Sequence, residues 1–299
     1  MTGTNAKSVR KALITAAGLA TRWLPATKAQ PKEMLPLVDK PAIQYVVEET
    51  IAAGIQDIVM ITSRGKRSLE DHFDRSFELE HYLAEKGKTD LLAEVREIAD
   101  MADIHYVRQK EPRGLGHAVW VGREHIGNEA FAVLLADDIM HSSSPLLRDM
   151  LAAHARTGVS ILALKRVSEE EISSLGCAEI EPWGDDPAFV RVTSVVEKPA
   201  PGTAPSDLAV IGRYVLTPGI FAALERTPLG AGGELQLTDG IGQLMKEEAV
   251  GGVVFETGRY DVGNKLDFLK ATIELALERE DLGPPLREFL AGIFRDGPA

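Results

Sequence analysis

Short apolar runs rich in valine and isoleucine alternate along the chain with longer stretches whose apolar residues recur at helical spacing. Residues 12–17 (ALITAA), 57–62, 104–108, 131–135 and 160–164 read as buried strands. Residues 43–53, 66–73, 116–125 and 146–157 read as helices, the first stopping at Gly54. Strand–helix alternation of this kind predicts an α/β fold, a Rossmann-like mixed but mostly parallel sheet flanked by helices on both faces. Residues 77–101 are charged and helical, with a break at Gly87, and form an insertion between two strands. Beyond Cys177, residues 178–181, 190–197 and 208–216 are strand-like, separated by turns rich in proline and glycine. Helices at 235–247 and 265–280 follow, then a break at Pro284–Pro285, a short final helix and a loose tail from Asp296.

At 299 residues the chain can hold one elaborated domain or two small ones. The pattern predicts a single domain with a soft internal boundary near residue 140 and a C-terminal helix and tail over 281–299. With Lys+Arg 33 against Asp+Glu 45 the net charge is −12, which argues against nonspecific binding to nucleic acid or an anionic membrane. A single cysteine, Cys177, excludes an intrachain disulfide framework and a cysteine-built zinc site, and a buried packing role suits it better than a nucleophile. The polar start MTGTNAKSVRK lacks the apolar core of a signal peptide, and no run approaches the ~20 apolar residues of a membrane span. The expected compartment is the cytoplasm.

The segment 16–36, AAGLATRWLPATKAQPKEMLP, is the chemically informative one. A buried strand leads into Gly18, where a tight turn can expose backbone N–H groups, and three cations follow at Arg22, Lys28 and Lys32. Backbone amides with convergent cations are what a polyphosphate requires, although a solvated basic loop has the same composition. The Walker pattern G-x-x-x-x-G-K-[ST] is absent, and Ala20 and Trp23 stand where a G-x-G-x-x-G dinucleotide loop needs glycines. Asp137, with Asp138 beside it, follows the strand at 131–135, a position that suits either a hard cation or a turn. Gln109 ends a strand before a glycine-rich turn, and its amide can present donor and acceptor together to a base edge. Glu197 and Lys198 end another strand at Pro199, and they can share a face only if the strand stops there. The seven histidines form no metal-binding pattern, and His117 reads as a helix-start residue.

These blocks together resemble the sugar-1-phosphate nucleotidylyltransferases. The likeness runs over residues 11–280 and includes PKEMLPLVDKP, SFELE (76–80), VRQKEPRGLGHAV (107–119), LADD (135–138), VVEKP (195–199), AVIGRYVL (209–216), GAGGELQLTD (230–239) and YDVGNKLDFL (260–269). It implies a nucleotide-diphospho-sugar transferase fold, with a nucleotide-binding half over about 11–140 and a sugar-binding half over about 141–280. The implied reaction is Mg²⁺-dependent transfer of UMP from UTP to α-D-glucose 1-phosphate, giving UDP-glucose and pyrophosphate. By this resemblance Arg22, Lys32 and Lys198 are catalytic, while Ala17, Gly18, Glu33, Gln109 and Gly114 hold the nucleotide. Gly176, Glu197 and Lys198 hold the sugar phosphate, Asp137 and Asp261 the metal. A homodimer or homotetramer is implied as well. The family loop reads G-x-G-T-R, but here it is Gly18-Leu19-Ala20-Thr21-Arg22. Two alternatives follow: a related enzyme using another triphosphate or sugar 1-phosphate, and a catalytically weak nucleotide-sugar-binding paralogue. Ala20 is the only hint of the latter, and intact Arg22, Lys32, Asp137, Lys198 and Asp261 argue against it.

Overall fold

The computed structural model describes residues 8–296, so the N-terminal segment 1–7 and the end of the tail, 297–299, lie outside the described residues. Nine strands form the main sheet: β1 (Lys11–Thr15), β2 (Asp57–Thr62), β3 (Asp103–Arg108), β4 (Phe131–Leu135), β5 (Ser160–Arg166), β6 (Gly176–Pro182), β7 (Phe189–Glu197), β8 (Leu208–Leu216) and β9 (Val250–Phe255). Their spatial order is β3-β2-β1-β4-β8-β5-β9-β7-β6. Consecutive residues of a strand face opposite ways, and both sides here are dry. Leu13, Val59 and Val133 enter a cluster with Val119, Leu224 and Ile241 on one face. Ala12, Ile14, Met60 and Leu134 enter another with Ile43, Val47 and Leu147 on the opposite face. This double burial explains why the strands read as continuous apolar runs rather than alternating ones.

Strand direction departs from expectation. The sheet is mixed, and the mostly parallel description holds only for its first half. β3, β2, β1 and β4 run parallel to one another, as do β5 and β9. β8 runs antiparallel to β4, β5 and β6, and β7 antiparallel to β6 and β9. An apolar run reports burial on two faces and not direction; direction follows the connection, and the short link between β6 and β7 permits only an antiparallel return.

Most predicted elements stand within two residues of their expected ends. The charged insertion is two helices, Phe77–Glu85 and Thr89–Asp100, parted at Gly87, whose φ is 65°. Two differences have clear causes. The helix expected over 116–125 is split into Leu115–Val121 and Arg123–Ile126 at Gly122, where a side chain would collide with Leu13 of β1. The pair Pro284–Pro285 does not interrupt the chain's end but opens the helix Gly283–Asp296, because proline at a helix start forfeits no hydrogen bond.

Candidate active site

The first four strands bring the chemistry together. β1, β2, β3 and β4 are parallel neighbours, and the loops after their carboxyl ends carry Gly18, Lys66, Gln109 and Asp137 in turn, the usual ligand side of such a sheet. A cleft there is lined by Ala17, Gly18, Arg22, Lys32, Glu33, Gln109, Gly114 and Asp137. Eight of the residues named from sequence therefore face one space. Asp261 joins them through Gly263: a Cβ on Gly263 would lie 2.9 Å from Asp261 Oδ1, 3.0 Å from Asp137 Oδ2 and 3.3 Å from Arg22 Nη2. Only glycine leaves room for that convergence.

The loop after β1 is held from several sides. Ala20 adopts φ 54°, ψ 38°, the left-handed region. Its carbonyl accepts from Trp23 N at 3.0 Å and from Thr27 Oγ1 at 2.9 Å. Trp23 in turn donates from Nε1 to the Val262 carbonyl at 3.1 Å and packs edge-on against Phe268. The loop is thereby tied to the turn that carries Asp261. Alanine in this conformation costs on the order of 1 kcal/mol relative to glycine. Ala20→Gly should keep or improve affinity for UTP, measured by calorimetric titration; a clear loss would show that the loop has adapted to alanine.

Lys32 opens the short 3₁₀ turn Lys32–Met34, and its ammonium bonds to Asp137 Oδ2. Burial pushes the Asp137 carboxyl up, but Lys32 and the nearby Arg22 outweigh it and hold the pKa below the usual carboxylate range. Asp261 is pushed up, first by burial and then by Asp137 and Asp138, against the pull of Arg259. Arg22 makes no hydrogen bond or ion pair among the described residues, which leaves its guanidinium for a ligand. Lys28 does not join the cluster; it lines a separate cavity behind the loop with Leu19, Gln30 and Arg64. The three cations of the loop thus divide.

Asp138 and Asp137 have different surroundings. Asp138 is 4% exposed and accepts from Gly212 N at 3.1 Å and Arg259 Nε at 2.8 Å. Its carbonyl accepts from Arg213, which is fully buried and also grips Glu49. Asp138 is committed to the protein and Asp137 faces the cleft. Among the described residues no group of three or more His, Cys, Asp or Glu could cage a metal. Two carboxylates aimed at one point are nonetheless a suitable donor set for a magnesium ion that takes its remaining oxygens from phosphates and water.

Gly176, Glu197 and Lys198 do not line this cleft but form their own group. Gly176 pairs with Glu197 across β6–β7 and with Val210 of β8, two residues from the Gly212 that binds Asp138. A Cβ on Gly176 would meet Thr238 Oγ1 at 2.8 Å and Glu197 Oε2 at 3.4 Å. β7 does stop at Glu197, and Lys198 takes φ 45°. That turn brings Lys198 Nζ to 3.6 Å from Glu197 Oε1, so the two side chains share a side despite being consecutive.

Two residues that the sequence analysis did not assign to the site touch residues on its walls. Lys66 is buried and donates to Glu33 Oε2 at 2.6 Å. Its signal was available, since SRGK follows a strand just as the loop at Gly18 does. His117 faces the Gln109 amide at 2.9 Å, a contact no spacing rule predicts.

Comparison with known proteins places the chain. The nucleotidyl transferase family model matches residues 11–278. A UTP–glucose-1-phosphate uridylyltransferase of Bacillus subtilis (strain 168) is 53% identical over 288 residues, covering 96% of this chain and 98% of the relative. A UTP-bound UGPase from Acinetobacter baumannii superposes with a TM-score of 0.87 at 38% identity, covering 95% of this chain and 99% of that one. A UDP-glucose pyrophosphorylase complexed with UDP-glucose gives a TM-score of 0.82 at 41% identity, covering 91% of this chain and 100% of that one. With matches that run nearly end to end, the chain belongs to the nucleotidyl transferase family.

Proposed function

We propose that the protein transfers UMP from UTP to α-D-glucose 1-phosphate, releasing pyrophosphate and forming UDP-glucose. The observation that carries this reading is the single cleft with the Gln109 amide and the Arg22–Lys32–Asp137 cluster on its walls. A base and a polyphosphate need those two environments. The choice of uridine nucleotide and glucose rests on the named relatives, the UTP-bound UGPase and the UDP-glucose complex among them.

A sugar phosphate is largely dianionic at pH 7, its second pKa being about 6. Its oxygen can therefore attack the α-phosphorus with no protein base, forming one P–O bond as the bridge to the β-phosphorus breaks. The barrier lies in bringing anions together and in the charge that develops on the departing pyrophosphate. Arg22, whose guanidinium makes no hydrogen bond or ion pair among the described residues, and Lys32 meet the triphosphate and then the leaving group. Lys198 holds the attacking phosphate in line, and Glu197, with Gly176 allowing close approach, receives the sugar hydroxyls. Mg²⁺ held by Asp137 and Asp261 would supply positive charge between the two substrates. The halves 11–140 and 141–280 act as the nucleotide and sugar sides of one domain, with Asp261 crossing between them. The setting is the cytoplasm; among the described residues no helix is long and apolar enough to cross a membrane. Exposed Leu269, Phe289 and Phe294 near the C-terminus give a homodimer or homotetramer an apolar surface to bury, which light scattering would size.

Pyrophosphate release across a grid of triphosphates and sugar 1-phosphates tests the assignment. Release should require UTP and glucose 1-phosphate together and cease with EDTA. Activity with another pair would keep the chemistry and change the substrates. Binding of UDP-glucose without release on any pair would indicate a binding paralogue instead.

A further inference from the structure

Gln109 is 5% exposed and stands at the carboxyl end of β3, on the wall of the nucleotide cleft. Its Nε2 donates to the Gly114 carbonyl at 3.2 Å and lies 2.9 Å from His117 Nδ1. A carbonyl oxygen only accepts, so Gly114 decides which end of the amide is nitrogen. The second amide hydrogen then belongs to His117, provided that Nδ1 carries a lone pair. Burial, and after it the charge of Arg113, lower the His117 pKa, so the ring is neutral near pH 7 and can accept through Nδ1. Both amide hydrogens are thereby used within the protein. The remaining polar atom, Oε1, has no hydrogen bond among the described residues and can only accept.

Uracil and thymine carry a hydrogen on N3, whereas cytosine presents a lone pair at the same position. A fixed acceptor at Oε1 bonds the first two and repels the third. We propose that His117 is a positioning residue that sets base selectivity: with Gly114 it fixes both the flip and the tilt of the Gln109 amide, so that the pocket takes pyrimidines bearing an N3 hydrogen. Gly114 alone fixes the flip but leaves the second N–H able to swing toward the base and meet cytosine N3. His117 is held in turn by the first turn of the helix Leu115–Val121 and by stacking on Trp120, with ring centroids 6.1 Å apart.

The inference rests on the reading that Gln109 meets the base of UTP. His117→Phe keeps a ring over Trp120 and removes the lone pair; His117→Asn restores an acceptor oxygen at similar reach. In steady-state assays of pyrophosphate release, the preference for UTP over CTP in kcat/KM should fall about tenfold in His117→Phe. The change should lie mainly in KM, and His117→Asn should recover most of the preference. Equal preference in wild type and His117→Phe would overturn the proposal, as would a His117→Asn that discriminates no better than His117→Phe. If His117→Phe does not fold, His117→Leu is read against His117→Asn by the same criterion. A wild-type protein active with UTP and CTP alike would refute the selectivity itself. One releasing pyrophosphate from neither would refute the assigned reaction, which is a different result.

Discussion

Lys198→Ala should lower turnover about 10³-fold, the scale lost when a charge-stabilising group is removed from a reacting centre, with no comparable loss of stability. The backbone at Lys198 is fixed independently of its side chain. Its N–H donates to the Leu175 carbonyl at 3.0 Å, and its φ of 45° is one that alanine adopts at the same cost as lysine. The side chain itself is half-exposed and its ammonium lies beside Glu197, so truncation opens no buried cavity. What is lost is the positive charge that would bring a dianion against a triphosphate. Lys198→Arg should fall between the two, because it keeps the charge and misplaces it. Pyrophosphate release from a variant whose circular dichroism melt matches wild type is the measurement. A folded Lys198→Ala with near-wild-type turnover would remove Lys198 from the reaction.

The same residue shows what the sequence makes legible and what it conceals. VVEKP announces a strand end, and the proline announces its limit, but whether Glu197 and Lys198 share a side depends on one dihedral angle. The first half of the fold reads well because β1, β2 and β4 are near-continuous apolar runs flanked by helices of clear period. β9 carries no such signal: its sequence, VGGVVF, has two adjacent glycines, which ordinarily weaken a strand. The glycines are there because a Cβ on Gly251 would sit 3.0 Å from Ile161 Cδ1 and Phe189 Cε2, a constraint visible only once the sheet is assembled. The site divides in the same way. Cleft-lining charges such as Arg22 and Asp137 follow strands and stand out in an acidic chain. Supporting groups are set by contacts between segments far apart in sequence: Arg213 on Glu49, Arg259 on Asp138 and Lys66 on Glu33. Asp137 and Asp138 are adjacent letters, yet only the fold distinguishes the carboxylate facing the cleft from the one that Gly212 and Arg259 hold.

The pair formed by Lys66 and Glu33 carries the largest expected effect on stability. Glu33 is 1% exposed, and Lys66 is nearly as deep. Burial pushes the Glu33 carboxyl up and the Lys66 ammonium down, each against the attraction of its partner. Two charges taken out of water contribute little net stability while they remain together, but removal of one strands the other. Lys66→Met keeps the length of the side chain and deletes the charge; it should destabilise the protein by about 3–5 kcal/mol in urea unfolding. Glu33→Gln combined with Lys66→Met should recover most of that loss, since no charge is then left unpaired. The effect reaches the chemistry because Glu33 follows Lys32 on the same 3₁₀ turn. A stranded Glu33 carboxylate competes with Asp137 for the Lys32 ammonium, so the single variant should also lose turnover, and the double variant should regain part of it. A Lys66→Met protein within about 1 kcal/mol of wild type would mean that water reaches the pair, and the coupling of Lys66 through Glu33 to the Lys32–Asp137 contact would fail with it.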